Sequence, residues 1–472
     1  MEFRNHTPFP ALAFEGIDQH HQPFHVVVLR QTLDLTDDGP VYADEQRPLC
    51  EEDAYFGDVG RSGVREESDL CHFKPKCDVI VHGTAHAPGG RATPRFSVRL
   101  HVRKPEGPPL ALPEPPQGLN PLMSAAPEAV KRWERECEAL LRRGEPGQTL
   151  IDKSLVVTGK RFLRKSSFAT SWMARVCRWL TLGLVHPVPW TMSAPDPALS
   201  VALRPELAFG GECLVLADSP VARHVPERYR LPGANGDVTV SAHTAFGANP
   251  IGVGWSEHWY LKAAGVTRLP APQIELSDAP FDLSVFERAA SGEALPKQQQ
   301  VAGFGVRHKG HPDRASLVGT IDEAFIASDR CLPEDFDFAV WNAAYPDQQI
   351  EYPSGGEIVE LTNLFPPDAP GVHVDSRGDT VMRFALPKHL AFARVRLESG
   401  AYFRLPMHLD TVSIDTDRRQ LSMVWRRIIG KTAEVPVRVL EAGVLSEDQR
   451  RERERLFAEL DRQAAGMEAR DA

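Results

Sequence analysis

Apolar and polar positions alternate over short runs through most of this chain, and that period of two predicts strands. Phe9 to Glu15 and Phe24 to Arg30 read as two strands joined by a loop from Gly16 to Pro23. Phe24, Val26 and Val28 alternate with His25, Val27 and Leu29, so both faces carry apolar side chains. Thr32, Leu33 and Leu35 extend the second strand to a turn at Asp37-Asp38-Gly39-Pro40. Val79 to Val81 form a β-branched run entered through the stiff loop Lys74-Pro75-Lys76, with Asp78 placed to bond backbone N–H groups where loop becomes strand. Gly89-Gly90 permits a reversal, and Phe96, Val98, Leu100 and Val102 alternate beyond it, which predicts a β-hairpin. Leu155 to Phe162 is another strand. Further on, Val381–Leu386, Ala391–Leu397, Tyr402–Leu405, Thr411–Asp415 and Leu421–Arg426 are short runs separated by turns, one of them at Asp415 to Arg419. Such a rhythm belongs to sandwiches and barrels.

Helical spacing is rarer. Val130, Trp133, Cys137, Leu140 and Leu141 recur on one face between Pro127 and the stop at Gly144. Phe168, Trp172, Val176, Trp179 and Leu180 make a second stripe, expected to face a core. Ser446 and Gln449 form a capping box that opens a charged C-terminal helix striped by Leu456, Leu460, Ala464 and Met467. The fold class is therefore mainly β, with sandwich-like sheets and a few helices, α+β overall. The segments are a β-rich region 1–103, a proline-rich linker 104–126, a mixed region 127–270, a second β-rich region 271–444 and a helix 445–472.

Composition changes this picture in two ways. Forty prolines in 472 residues favour short strands and stiff loops over long helices. A net charge of −10 gives no global field for nucleic acid. The seven cysteines are thinly spread, the start shows no secretory signal, and no apolar run is long enough to span a membrane. Reduced thiols in a cytoplasmic protein are expected.

Candidate chemistry is sparse. Cys71, Cys77, His82 and His86 have the residue types of a zinc site, but on a strand Cys77 and His82 point to opposite faces. His82 and His86 share a face at roughly 13 Å along the chain, so no metal is expected. Asn249 to Gly254 lacks the context of a phosphate loop, and there is no nucleophile elbow, zincin motif or dinucleotide fingerprint. Asp335, Asp337, Glu357 and Glu360 are carboxylates without a spacing that singles them out. No catalytic residue and no cofactor is assigned.

An ordered set of short motifs carries a resemblance. It runs Glu67-Ser68-Asp69-Leu70, Lys74-Pro75-Lys76-Cys77-Asp78-Val79, Ala85-His86-Ala87-Pro88-Gly89-Gly90, Asp152 to Arg161, Ala208-Phe209-Gly210-Gly211 and Asn249 to Gly254. It continues with Gly319-Thr320-Ile321-Asp322, Leu332 to Asp337, Pro346-Asp347-Gln348-Gln349, Ile414-Asp415-Thr416-Asp417 and Val424-Trp425-Arg426. Over roughly residues 1 to 430 the chain resembles a bacterial domain family of unknown function encoded beside PAAR-like effectors of type VI secretion. The resemblance implies a cytoplasmic adaptor or chaperone that keeps such an effector soluble and helps place it on the VgrG spike. It brings no catalytic or metal-binding residues. Contact candidates are Glu67, Ser68, Asp69, Lys74 and Asp78 in the loop, the aromatics Trp255 and Trp259, and Leu456 and Leu460 on the last helix. The rival expectation is a β-sandwich hydrolase or carbohydrate-binding protein.

Overall fold

In the computed structural model, the residues described are 1–57, 62–107, 145–166, 172–181, 190–208, 220–227, 258–284, 302–307, 311–431 and 436–446. Short pieces at 133, 230–232, 238–240, 286–287, 309, 448–449 and 452 are described as well. The helix expected over 127–144 lies outside them except for Trp133, and Trp255, Leu456 and Leu460 lie outside entirely.

The longest strand, Pro23–Thr36, shows why alternation here is muted. Val27, Leu29, Leu33 and Leu35 on one face enter the main hydrophobic core. The other face, through Phe24, Arg30 and Thr32, is covered by the loops around Gln46, Glu66, Asp69 and His72. Both faces are buried, so even its polar residues His25, Arg30, Gln31 and Thr32 are inside. This strand lies between Ala11–Ile17 and Gln420–Gly430 in a seven-stranded sheet. That sheet continues through His408–Asp415 and Cys77–His82 to the short Gln349–Ile350. The turn expected at Asp415 to Arg419 joins two of these strands, with Arg419 at φ 56.

A six-stranded sheet runs in the order Ile274–Leu276, Thr149–Thr158, Arg95–Arg103, Ile358–Thr362, Thr380–Ala385, Val372–Val374. A four-stranded sheet runs Glu2–Asn5, Val437–Leu445, Leu390–Leu397, Tyr402–Pro406. Val98, Leu100, Leu155 and Val359 of the one and Ala393, Val395 and Leu440 of the other meet Val79, Val412 and Leu421 of the seven-stranded sheet in a single core. The mainly β, sheet-layered expectation is met. The regions 1–103 and 271–444, set apart in the sequence, pair strand to strand within all three sheets.

Three local expectations need correction. Cys77–His82 and Arg95–Arg103 are not a hairpin, because they belong to different sheets. The donors between them are committed to other segments: His86 N–H to Asn363, Ala87 N–H to Leu199 and Gly89 N–H to Gly378. The glycines still make the turn, at φ 63 and 64, but it carries the chain from one sheet to the other. The strand expected over Leu155 to Phe162 is two elements, Thr149–Thr158 and Phe162–Lys165. The apolar stripe of the helix Trp172–Leu180 does not face a core, since Trp172 is 70% exposed and Trp179 78%. The capping box forms as expected, with Gln449 N–H donating to Ser446 Oγ at 3.3 Å and Ser446 N–H to Gln449 Oε1 at 3.1 Å. Among the described residues no helix is long and apolar enough to cross a membrane.

Candidate functional site

The loop between the strands Val64–Glu66 and Cys77–His82 lies against the seven-stranded sheet and is held there by charge. Asp78, with no exposed surface, accepts from Lys74 Nζ at 2.9 Å, Asn342 Nδ2 at 3.0 Å, and the N–H groups of Ala343 and Ala344 at 2.8 and 3.2 Å. Its side chain does bond backbone, as the sequence suggests, but the backbone lies more than 260 positions away. Lys74 also donates to Thr411 Oγ1 at 2.8 Å. Burial opposes its charge most strongly, yet Asp78 together with Cys71 and Asp410 outweighs that, and the ammonium is held above its usual range. Glu67 takes a two-point grip from Arg314, both contacts at 2.6 Å. Asp69 pairs with the buried Arg30 at 3.3 Å and accepts from Cys50 N–H at 2.8 Å. Ser68 is half-buried and reaches Glu51 and Asp53. Of the five loop candidates, four turn their charged ends inward, and the outward apolar side chain is Leu70.

Beside this loop opens a pocket of about 250 Å³, lined by Phe73, Lys74, Tyr352, His408, Asp410, Arg426, Arg427 and Ile428. A β-bulge builds it. His408–Asp415 shifts register against Gln420–Gly430 between Leu409 and Thr411, so Asp410 is the extra residue. Asp410 is thereby placed against Arg426, whose Nε donates to it at 2.6 Å. Arg426 Nη1 donates to the carbonyls of Asp69 and Cys71 at 2.6 and 2.7 Å, tying sheet to loop. Arg426 is 3% exposed, and its Nη2, itself shut off from solvent, finds no partner among the described residues. Burial opposes this guanidinium's charge, but Asp410 holds its pKa above the ordinary value. Arg427 meets His408 Nε2 at 3.1 Å, and its own Nε is unpartnered. Burial, then the Arg427 charge, pushes the His408 pKa down, so the imidazole is neutral and accepts that bond. The His408 ring stacks on Tyr352 with centroids 4.4 Å apart, and the Tyr352 hydroxyl donates to the Lys74 carbonyl. Of the three lining cations, Lys74 is paired with Asp78 and Arg426 with Asp410, which leaves Arg427 without a carboxylate partner among the described residues, and Asp410 is already committed to Arg426 and Thr411. The arrangement offers positive charge and hydrogen-bond donors between apolar walls.

Asp78, Lys74 and Arg426 stand within the sequence motifs, whereas their neighbours Asp410, Arg427, Tyr352 and His408 do not. A signal was present in the run Trp425-Arg426-Arg427-Ile428, where a strand of apolar residues carries two adjacent cations. The bulge has no such signature. Trp259 lies elsewhere, in a small cluster with Val221, Val225 and Tyr260. Of the cysteine and histidine set, Cys77 is in the main core and His82 packs edge-on against Phe56 with centroids 5.8 Å apart. Among the described residues no group of three or more His, Cys, Asp or Glu side chains is placed to hold a metal ion.

His82 gives the chain a pH dependence. It is 5% exposed, neither ring nitrogen has a partner among the described residues, and burial lowers its pKa to about 4 against the pull of Glu66. An unfolded histidine titrates near 6.5, so between these values the unfolded chain binds a proton that the folded chain refuses. The contribution is full above about pH 6.5 and is lost as pH falls towards 4, about 3 kcal/mol in all. His82→Phe is expected to flatten this slope, read as denaturation midpoints at pH 7 and at about pH 4.5.

Fold and pocket together define a multi-sheet, mainly β protein with a pocket lined by cations and aromatic rings. A family model described as an uncharacterized protein conserved in bacteria (DUF2169) matches residues 20–107 and 122–426. The chain belongs to that family. No curated protein and no solved structure matches it.

Proposed function

We propose that this protein is a cytoplasmic adaptor of type VI secretion that binds a PAAR-like effector, keeps it soluble and helps load it onto the VgrG spike. The observation that carries this reading is the helix Trp172–Leu180. Trp172, Met173, Trp179 and Leu180 are 70, 58, 78 and 65% exposed. Positions 172, 173, 176, 179 and 180 fall on one face of a helix, the pattern by which an amphipathic helix engages a partner's groove. Burying such large side chains contributes about 1.5–3 kcal/mol each, which suits a client with apolar surface of its own. The loop adds Ser68 and Leu70, held in shape by Glu67, Asp69, Lys74 and Asp78. Trp255, Trp259, Leu456 and Leu460 are the further contacts of this reading.

The test is co-expression with the product of the neighbouring gene, followed by affinity capture and sizing. The expected result is a stoichiometric complex, with the partner insoluble or degraded when made alone. The double variant Trp172→Ser, Trp179→Ser is expected to weaken the complex at least about tenfold while leaving its own unfolding midpoint unchanged, because both rings are exposed. A partner that is stable alone and forms no complex would sink the adaptor reading for that pair and bring substrate and sugar screening forward.

A further inference from the structure

We infer that the pocket between Phe73, Tyr352 and Arg427 is a binding site for a carboxylate carried on an apolar group. This goes beyond the adaptor reading and does not depend on it. Three observations converge. Arg427 lines the pocket as a cation with no carboxylate partner among the described residues, whereas Lys74 and Arg426 are already paired with Asp78 and Asp410. The Arg427 guanidinium is half-buried and is fixed by the bond from its Nη1 to His408 Nε2 at 3.1 Å, so the cation is set at the pocket wall before any ligand arrives. The walls, finally, are apolar or aromatic: Phe73, Ile428 and the stacked pair Tyr352 and His408.

These features discriminate among ligand classes. A guanidinium matches the planar carboxylate, whereas the single anionic head required here leaves the apolar walls to cover a hydrocarbon or aromatic body. Inorganic phosphate would bring acceptors on every side and nothing for Phe73 and Ile428 to contact. A sugar needs acceptors as well as donors, and Asp410 is already held by Arg426 and Thr411. At about 250 Å³ the space is smaller than a drug-sized site of about 300–1,000 Å³. It admits one small aromatic or branched aliphatic acid, or the last residue of a peptide chain. Both present the same chemistry.

The experiment is calorimetric titration of the full chain with benzoate, benzamide, inorganic phosphate, and a tripeptide ending in phenylalanine with its terminus either free or amidated. Benzoate is expected to bind at least about tenfold more tightly than benzamide and than phosphate. The free-terminus peptide is expected to exceed its amide by a similar factor. If the peptide binds more tightly than benzoate, the natural carboxylate is a chain terminus; if benzoate binds more tightly, it is a small acid. Arg426 holds the loop and is unsuitable for substitution, so the variant is Arg427→Gln. It is expected to lose about tenfold in benzoate affinity with its unfolding midpoint retained, and Arg427→Lys is expected to restore part of the affinity. No benzoate or peptide binding at about 10 mM, or benzamide or phosphate binding as tightly as benzoate, overturns the inference.

Discussion

Asp78→Ala is expected to cost about 3–5 kcal/mol and to leave little soluble, folded chain at 37 °C. The carboxylate is fully buried and accepts four hydrogen bonds from two separate segments, Lys74 and the run Asn342 to Ala344. Removing it leaves the Lys74 ammonium, itself 6% exposed, without its ion-pair partner, and Thr411 Oγ1 is then its one remaining acceptor. It also strands the N–H groups of Ala343 and Ala344, each a further desolvation cost of about 1–3 kcal/mol if no water enters. The loss is not local. Asp78 lies in a strand that bridges Gln349–Ile350 and His408–Asp415, so the loop, the short edge strand and the pocket wall loosen together. Denaturation midpoints of Asp78→Ala and Ser68→Ala make the comparison, since Ser68 belongs to the same loop but is uncharged and only half-buried. Equal midpoints for the two would refute the account of Asp78 as the keystone.

The contrast between Asp78 and Asp410 shows what can be read from a sequence of this kind. Asp78 stands at a loop-to-strand junction between two motifs, and its local bonding capacity marks it before any fold is known. Its neighbours cannot be named that way, because Asn342 to Ala344 arrive from a distant segment. Strand existence was legible wherever alternation was clean: the runs beginning at Val381, Ala391, Tyr402, Thr411 and Leu421 all lie within observed strands or end one residue beyond them. Pairing was not. Two adjacent strands with a glycine turn between them read as a hairpin, yet a sandwich can spend the same turn on a crossing between sheets. Periodicity also records that a helix has an apolar face without recording what covers it, which is why the stripe of Trp172 and Trp179 read as core and is exposed. Asp410 is the extreme case, since a bulge alters register by one residue and leaves no mark in composition or spacing.

Arg426→Met is expected to be the second large effect, again about 3–5 kcal/mol, with a signature that separates charge from packing. The guanidinium satisfies Asp410 and two loop carbonyls at once, at 2.6 to 2.7 Å. In Arg426→Met the Asp410 carboxylate, 1% exposed, is left with Thr411 alone. A buried carboxylate without its cation is relieved by protonation, so the variant is expected to recover stability as pH falls, opposite in sign to the His82 contribution. Adding Asp410→Leu to Arg426→Met removes the stranded charge and is expected to return a large part of the loss. It cannot return all of it, because the carbonyls of Asp69 and Cys71 still lack their donor. Denaturation midpoints of the two single variants and the double variant at pH 5.5 and pH 8 give the complete cycle. A double variant no more stable than Arg426→Met alone would mean that the loop contacts, and not the ion pair, carry the energy of this residue. The pocket would then be a by-product of how the loop is tied down.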